Sequence, residues 1–297
     1  MKRFKGISVI LIPLISLCFV FSSCQREPKT PPPSVTAVLE DSTLSADGVT
    51  IHYDVRGEGE PALVFVHCWC CDRSYWKAQV DTFAEQYKVV TVDLAGHGQS
   101  GMDRDEWTIA AFAEDVTAVV GELQLDKVIL IGHSMGGPVI LQAARLMPKR
   151  VIGLIGVDTF QNFEQEYTRE QSEALLAPFR EDFVETVSTF VRSMFPPTAD
   201  STLVEWVVGD MSSAPPEVAI EAMEDMFQFD PKEALKEVRI PIRGINADMW
   251  PVNVEANRRH ALSFDAAIME GLGHFVHMED PEAFNRLLDH AVKELLQ

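Results

Sequence analysis

The sequence predicts an α/β fold in which a mostly parallel sheet is covered by helices on both faces and a helical segment is inserted between two strands. From about residue 44, short apolar runs alternate with longer amphipathic stretches, and this alternation is typical of parallel sheets. The chain has 297 residues, of which 46% are hydrophobic, so it can bury the large core that such a sheet needs.

The strands are predicted from apolar runs that are bounded by turn residues. An alternating run at residues 48–55 indicates an earlier antiparallel strand with one buried face. Amphipathic stretches between the runs predict the helices. The predicted strands are 62–66, 88–92, 128–131, 151–157, 240–245 and 266–269, and the predicted helices are 76–86, 108–123, 134–146 and 281–296.

Residues 160–230 interrupt this alternation. They carry amphipathic helical patterning and many acidic residues, and no strong strand pattern falls among them. Two proline pairs, Pro196-Pro197 and Pro215-Pro216, are expected to set helix boundaries. We therefore predict a helical lid at residues 160–230, inserted into a core made of residues 44–159 and 231–297.

The N-terminus predicts export. A positive segment containing Lys2, Arg3 and Lys5 precedes a nearly unbroken apolar run at residues 6–21, and small residues then precede Cys24. This order resembles a bacterial lipoprotein signal, which implies a signal peptide at 1–23, a lipid on Cys24, a proline-rich tether at 24–43 and a domain that faces the periplasm or the cell exterior. The alternative is an uncleaved membrane anchor, for which the run is short, because a bilayer core is about 30 Å thick.

Charge and cysteine usage exclude some function classes. The formal net charge of −20 argues against nucleic acid as a partner. Cys68, Cys70 and Cys71 lie within four residues, and no second Cys/His pair stands at zinc-ligand spacing, so we expect free thiols or a Cys70–Cys71 pair and no metal site. No cofactor is expected, since the chain has no Walker loop and no dinucleotide glycine pattern.

One motif indicates nucleophilic catalysis. The predicted strand at 128–131 is followed at once by Gly132-His133-Ser134-Met135-Gly136 and then by a predicted helix, which is the strand, turn and helix context that G-x-S-x-G requires. Glycines are needed beside such a tight turn, and a serine there is exposed to substrate. A serine hydroxyl becomes a good nucleophile when a base accepts its proton. Ser134 is therefore the candidate nucleophile.

Further segments carry a family resemblance. Residues 65–69 (Phe-Val-His-Cys-Trp) and 93–100 (Asp-Leu-Ala-Gly-His-Gly-Gln-Ser) resemble the oxyanion segment and the Asp-x-x-Gly-x-Gly-x-Ser turn of the α/β-hydrolase superfamily. Residues 244–248 and 271–277 resemble its acid-bearing turn and its histidine turn. Over residues 45–297 the chain thus resembles this superfamily, which implies the α/β-hydrolase fold with a helical cap.

The resemblance assigns roles in the order serine, acid, histidine. It implies Ser134 as nucleophile, Asp248 as acid and His274 as base. Asp158, at the end of the strand at 151–157, is the alternative acid, because some members place the acid there. The other histidines considered for the base, which we expect to be surface or packing residues, are His260, His277 and His290.

The same resemblance implies an oxyanion hole. Its donors are the backbone N–H groups of Met135, directly after the nucleophile, and of Trp69. Cys68 stands where the family usually has glycine.

The function expected from these residues is hydrolysis of a small to medium carboxylic ester, thioester or lactone through an acyl-enzyme on Ser134. The partners are then a small-molecule acyl substrate and, through the lipid on Cys24, a membrane. Two alternatives stay open: a carbon–carbon bond hydrolase or perhydrolase with the same triad, and a non-catalytic ligand-binding protein on this fold.

Overall fold

A computed structural model describes residues 39–297, so the predicted signal peptide, Cys24 and most of the predicted tether lie outside the described residues. Eight strands form one sheet in the order β1-β2-β4-β3-β5-β6-β7-β8. The pairs β1–β2 and β2–β4 are antiparallel, and all others are parallel. The strands are β1 (Leu39–Leu44), β2 (Thr50–Arg56), β3 (Ala62–Val66), β4 (Val89–Val92), β5 (Val128–His133), β6 (Val151–Val157), β7 (Pro241–Ala247) and β8 (Ser263–Met269).

Helices cover both faces of this sheet, as the alternation of runs predicts. A short 3₁₀ helix, Arg73–Trp76, leads into the first α-helix. The α-helices are α1 (Lys77–Phe83), α2 (Ile109–Glu122), α3 (Gly136–Leu146), α4 (Arg169–Glu181), α5 (Phe183–Ser193), α6 (Ser201–Met211), α7 (Pro216–Gln228), α8 (Pro231–Glu237), α9 (Val254–His260), α10 (Val276–Glu279) and α11 (Pro281–Leu295).

The core has two layers because side chains alternate along each central strand. In β3, Val64 and Val66 face the layer that holds α2 and α3, while Leu63 and Phe65 face the layer that holds α1 and α11. All five residues of β3 are buried, which is expected of a parallel strand covered on both faces. This arrangement confirms the predicted fold class.

The sequence does not predict strand β1, because its residues are expected to belong to the tether. It pairs antiparallel with β2 from Leu39 to Leu44 and is mostly exposed. An edge strand of this kind is held by backbone hydrogen bonds and needs no apolar alternation, so its sequence, Leu-Glu-Asp-Ser-Thr-Leu, does not indicate a strand. Residues 39–43, which we expect in the tether, therefore belong to the sheet.

Five helices separate β6 from β7. We call α4–α7, residues 169–228, the cap, because α4 packs on α5 and α7, and α5 packs on α6. Pro216 and Pro231 occupy the first turns of α7 and α8, where a missing N–H costs nothing. Helix α8 packs on α3 instead and belongs to the core. Among residues 39–297, no helix combines the length and the apolar character that crossing a membrane requires.

Candidate active site

Ser134 lies in the turn between β5 and α3. Its φ is 51°, in the left-handed region, and its N–H donates to Val157 O at 3.0 Å. A residue other than glycine stores about 1–3 kcal/mol of strain in such a conformation, which persists only where the surroundings fix it. The turn leaves Ser134 half-buried at the border of a large cavity.

The glycines of the Gly-x-Ser-x-Gly motif are required by close backbone contacts. A Cβ on Gly132 would lie 2.3 Å from Gly136 O, and a Cβ on Gly136 would lie 2.7 Å from Val66 O. Both distances are shorter than any real contact of a Cβ atom. The end of β3 and the start of α3 can therefore approach the serine turn only with glycine at these positions.

His274 borders the same cavity as Ser134. It follows β8, and its side chain is buried. Its Nδ1 lies 2.5 Å from Asp158 Oδ2, and its backbone carbonyl accepts from His133 Nε2 at 2.9 Å. The indole ring of Trp250 stands edge-on to the imidazole, with 5.5 Å between the ring centroids. The imidazole is thus oriented by one carboxylate and is also contacted by the rings of His133 and Phe275, at centroid distances of 4.6 and 5.3 Å.

Asp158 is the carboxylate on that histidine. It directly follows β6 with a φ of 41°, and its side chain is buried. While Oδ2 contacts the imidazole, Oδ1 accepts the Ala247 N–H at 2.9 Å. Both oxygens are thus fixed, and the buried carboxylate is paired, as burial of a charge requires.

The expectation that Asp248 faces His274 is corrected by this geometry. Asp248 is exposed, and its Oδ1 accepts the Gly271 N–H at 3.0 Å. It joins the turn after β7 to the turn after β8. Both aspartates follow neighbouring strands at the same edge of the sheet, but only Asp158 turns its carboxylate towards the imidazole.

The loop that carries His274 is held by two further residues. The Gly273 N–H donates to both carboxylate oxygens of Glu279 at 3.0 Å, and the His274 N–H donates to Met194 O at 2.9 Å. Burial raises the pKa of Glu279. Met194 directly follows α5, so the histidine loop is joined to the cap. Sequence reasoning missed Glu279, because an acid five residues after a histidine has no distinctive pattern.

The cysteine turn after β3 differs from the expectation. Cys68 and Cys71 form the disulfide, whereas Cys70 is a buried free thiol, so neither three free thiols nor a Cys70–Cys71 pair is present. The Cα atoms of Cys68 and Cys71 lie 5.4 Å apart, within the usual range for a disulfide. The turn brings them together because the Cys71 N–H donates back to Cys68 O at 3.2 Å.

The two expected oxyanion donors flank the serine turn. Met135 follows Ser134 directly, and Trp69 lies after β3, the strand that pairs with β5. Within residues 39–297, neither the Met135 N–H nor the Trp69 N–H donates to a protein acceptor. Buried N–H groups without a protein acceptor are rare, and both residues are buried, so these two are available to a ligand oxygen.

The Trp69 side chain points into the cap. Its Nε1 donates to Ala219 O in α7 at 2.6 Å. Its ring also contacts an aromatic cluster edge-on, at centroid distances of 5.6 to 6.3 Å, formed by Phe179, Phe183 and Phe190. Trp69 therefore joins the cap to the turn that carries its own backbone N–H.

The cavity beside Ser134 and His274 has a volume of about 880 Å³. Core loops and the cap both contribute to it, and Trp250 lies at its border. No Lys, Arg or Glu is found among the described residues that line it, and its one carboxylate, Asp158, is paired with His274. The apolar lining includes Phe160, Phe163, Phe190, Met194, Met226, Phe227, Phe229 and Val252, and the amide lining Gln161, Asn162, Gln165 and Asn253.

Four more histidines are buried near this site. Burial lowers the pKa of His277 to about 3 and of His67 to about 4, and holds that of His133 well below its usual value. His277 packs its ring on Trp76 at 4.5 Å, and its ring nitrogens have no partner among the described residues. His97 packs on His67 at 4.9 Å. None of these four histidines lines the cavity, and His290 is exposed.

Within the described part of the chain, no group of three or more His, Cys, Asp or Glu side chains is arranged to hold a metal ion. Among the described residues that line the cavity with Ser134, the ionisable side chains are those of Asp158, His274 and Tyr167. A histidine that a carboxylate holds in one orientation can act as a base on a group in this cavity.

Two of the known proteins to which the chain is similar are bacterial enzymes. The 3-oxoadipate enol-lactonase 2 of Acinetobacter baylyi is 25% identical over 259 residues, covering 84% of this chain and 96% of that enzyme. The pimeloyl-[acyl-carrier protein] methyl ester esterase of Aliivibrio salmonicida is 31% identical over 202 residues, covering 65% of this chain and 75% of that enzyme.

Solved structures show the same fold. An esterase from Exiguobacterium antarcticum superimposes with a TM-score of 0.77 at 21% identity, covering 86% of this chain and all of that one (100%). The sequence model of the alpha/beta hydrolase family matches residues 63–287. With the sheet order, the serine turn and the histidine loop described above, this match identifies the chain as a member of the α/β-hydrolase family.

Proposed function

We propose that this protein is a serine hydrolase that cleaves uncharged carboxylic esters, thioesters or lactones of small to medium size through an acyl-enzyme on Ser134. One observation carries the proposal: His274, bonded to the buried Asp158 at 2.5 Å, borders the same cavity as Ser134 in its strained turn. Similarity to an enol-lactonase and to a methyl ester esterase supports hydrolysis of ester bonds.

Acylation uses these three side chains. His274 accepts the Ser134 proton on Nε2 as Oγ attacks the carbonyl carbon, and Asp158 keeps the other proton on Nδ1 and stabilises the imidazolium. The leaving alcohol or thiol then takes the proton from His274. The buried, fully bonded Asp158 suits this role, because it fixes the tautomer and the orientation of the ring.

The oxyanion requires donors at the carbonyl oxygen. We assign this role to the backbone N–H groups of Met135 and Trp69. A donor aimed at the developing charge contributes about 10²–10³ in kcat. Water then attacks the acyl-enzyme, with His274 again as base, and frees the acid.

The cavity supports an uncharged substrate. A carboxylate on the substrate would lose water without gaining a cation, because no Lys or Arg lines the cavity in the described chain, and burial of an unpaired charge is costly. The net charge of −20 adds long-range repulsion. Aromatic and methionine side chains favour an apolar acyl or alkyl group, and the amide side chains offer hydrogen bonds to a polar end.

We also propose that the enzyme is exported and held at a membrane by a lipid on Cys24. The charged, apolar and small-residue segments before Cys24 support this, and so does a disulfide in the domain, because disulfides persist in oxidising compartments. Metabolic labelling with an alkyne fatty acid tests it: the chain should be labelled and found in the membrane fraction, and Cys24→Ala should abolish both. A labelled Cys24→Ala chain would contradict the assignment.

The activity is tested with p-nitrophenyl butyrate and a fluorophosphonate probe. The wild-type chain should hydrolyse the ester and be labelled once, and Ser134→Ala should lose both. Short acyl esters, lactones and β-diketones then define the bond that is cleaved. Turnover of β-diketones without turnover of esters or lactones would contradict the proposal, as would a wild-type chain that neither turns over the ester nor reacts with the probe.

A further inference from the structure

The peptide unit between Cys68 and Trp69 is held at its carbonyl end. Cys68 O accepts from His67 Nδ1 at 2.7 Å and from the Cys71 N–H at 3.2 Å. His67 is itself fixed, because its Nε2 accepts the Leu94 N–H at 3.0 Å. A trans peptide is planar, so its N–H points opposite to its carbonyl. Whatever holds Cys68 O therefore also aims the Trp69 N–H.

The turn needs support to keep this orientation. Cys70 adopts a φ of 56°, a left-handed conformation that a residue other than glycine keeps only when its surroundings impose it. In the α/β-hydrolase pattern a glycine usually stands at the position of Cys68, and no glycine is found between Val66 and Arg73 here. The turn thus lacks the residue type that adopts such conformations freely.

The disulfide supplies this support. It joins Cys68 to Cys71 across the turn, on either side of Trp69 and Cys70, and both half-cystines are buried. Covalent closure of so short a loop constrains the unfolded chain less than closure of a long one, so a large gain in global stability is not its main consequence. Its local consequence is that the ends of the turn cannot separate.

We propose that the Cys68–Cys71 disulfide is a positioning element of the oxyanion hole, which holds the turn so that the Trp69 N–H points at the substrate carbonyl oxygen. This inference rests on the proposed function, because it needs an acyl transfer on Ser134. Cys70 takes no part in the link. Burial raises the pKa of its thiol, which keeps it protonated and unreactive.

The test compares three full-length chains: the wild type, Cys68→Ser/Cys71→Ser and, as the matched control, Cys70→Ser. Peptide mapping confirms which of the three chains contain the Cys68–Cys71 disulfide. With p-nitrophenyl butyrate, the double variant should lose about tenfold or more in kcat, since misplacing one group by about 1 Å can cost that much, while KM changes less than about twofold. Affinity for a trifluoromethyl ketone, which forms a tetrahedral adduct on the serine, should fall in parallel. Cys70→Ser should keep wild-type kcat.

If the disulfide has only a structural role, its removal should affect stability and not catalysis. The midpoint of urea unfolding would then fall while kcat of the folded fraction and affinity for the ketone stay within about twofold, and this result would overturn the proposal. If the double variant does not fold, wild-type enzyme reduced by a water-soluble phosphine decides instead. The phosphine becomes its oxide, with oxygen from water, as the disulfide becomes two thiols. Unchanged kcat in the reduced, folded enzyme overturns the proposal.

Failure of the proposed function and failure of the positioning role of the disulfide give different results. If Ser134→Ala keeps the activity of the wild type, the serine mechanism itself is wrong. If Ser134→Ala is inactive and the double variant keeps full kcat, the mechanism stands and the positioning role of the disulfide is wrong.

Discussion

Asp158 Oδ2 lies 2.5 Å from His274 Nδ1, and these two residues are 116 positions apart in the chain. The first follows β6 and the second follows β8, so the sheet brings them together across the end of β7. This contact is the reason that we propose Asp158 as the acid. Asp248, at the end of β7, is nearer in sequence but bonds to the Gly271 N–H instead.

Asparagine substitutions at the two aspartates distinguish their roles. Asp158→Asn should lower kcat by about 10⁴, because an amide cannot hold the imidazole in the required tautomer or stabilise its charged form. Asp248→Asn should stay within about threefold of wild type, since its exposed oxygen accepts one backbone hydrogen bond. The measurement is steady-state hydrolysis of p-nitrophenyl butyrate with folding checked by circular dichroism. The reverse ranking of the two variants would return the acid to Asp248.

The uncharged cavity predicts discrimination between matched esters. Methyl octanoate and the monomethyl ester of suberic acid have the same chain length, but the second ends in a carboxylate. The neutral ester should have a kcat/KM at least about tenfold higher, because about 1.4 kcal/mol of unpaired charge burial suffices for that ratio. Titration of the released acid measures both rates. Equal rates, or a preference for the anionic ester, would show that a cation reaches the cavity.

Trp69 has separable backbone and side-chain roles. Trp69→Phe removes the hydrogen bond to Ala219 O and keeps the backbone N–H, so it should raise KM by up to about tenfold and change kcat little. The reason is that the cap also supplies Phe190 and Met226 to the cavity. Trp206→Phe, a change in the cap at a ring that is 45% exposed, is the control and should leave both constants unchanged. A fall in kcat at constant KM for Trp69→Phe would contradict this division.

Buried neutral histidines predict loss of stability in acid. The pKa of His277 is lowered by burial to about 3, from an ordinary value near 6.5, so below pH 6.5 the unfolded chain binds a proton that the folded chain does not. The free energy of unfolding therefore falls as pH falls from about 6.5 towards 3. Each such histidine contributes about 1.4 kcal/mol per pH unit in that window.

His277→Leu tests this by removing one such group. Urea unfolding between pH 7 and 4 should show a slope lower by about one proton than that of the wild type. Because the ring nitrogens of His277 have no partner within residues 39–297, the variant should lose little stability at pH 7. An unchanged slope in His277→Leu would mean that this histidine is not held neutral.

The sequence was sufficient for the parts of the fold and site that depend on local pattern. Apolar runs locate the central strands, and Gly132 and Gly136 reveal the serine turn because backbone contacts demand them. The sequence does not predict β1, because an exposed edge strand needs no apolar pattern. The sequence also cannot decide between Asp158 and Asp248. Each follows the carboxyl end of a parallel strand, and the two strands are neighbours, so the two residues differ only in the direction of the side chain.

The cysteine pairing shows the same limit. Three cysteines within four residues allow several pairs, and the one that forms depends on a turn in which the Cys71 N–H reaches Cys68 O. Glu279 likewise depends on the path of the loop, since it binds the backbone of Gly273 and not a neighbour in sequence. Contacts of this kind depend on the path of the folded backbone, and the spacing of residues in the sequence does not specify that path.

The proposed mechanism requires an acyl-enzyme at Ser134, and mass spectrometry of acid-quenched enzyme tests for it most directly. After mixing with p-nitrophenyl acetate, the chain should gain the mass of one acetyl group, and the peptide that contains residues 132–137 should carry it on Ser134. Asp158→Asn should accumulate the adduct more slowly, and Ser134→Ala should not form it. Hydrolysis by a wild-type chain that never carries an acyl group on Ser134, or that carries it on another residue, would contradict the mechanism.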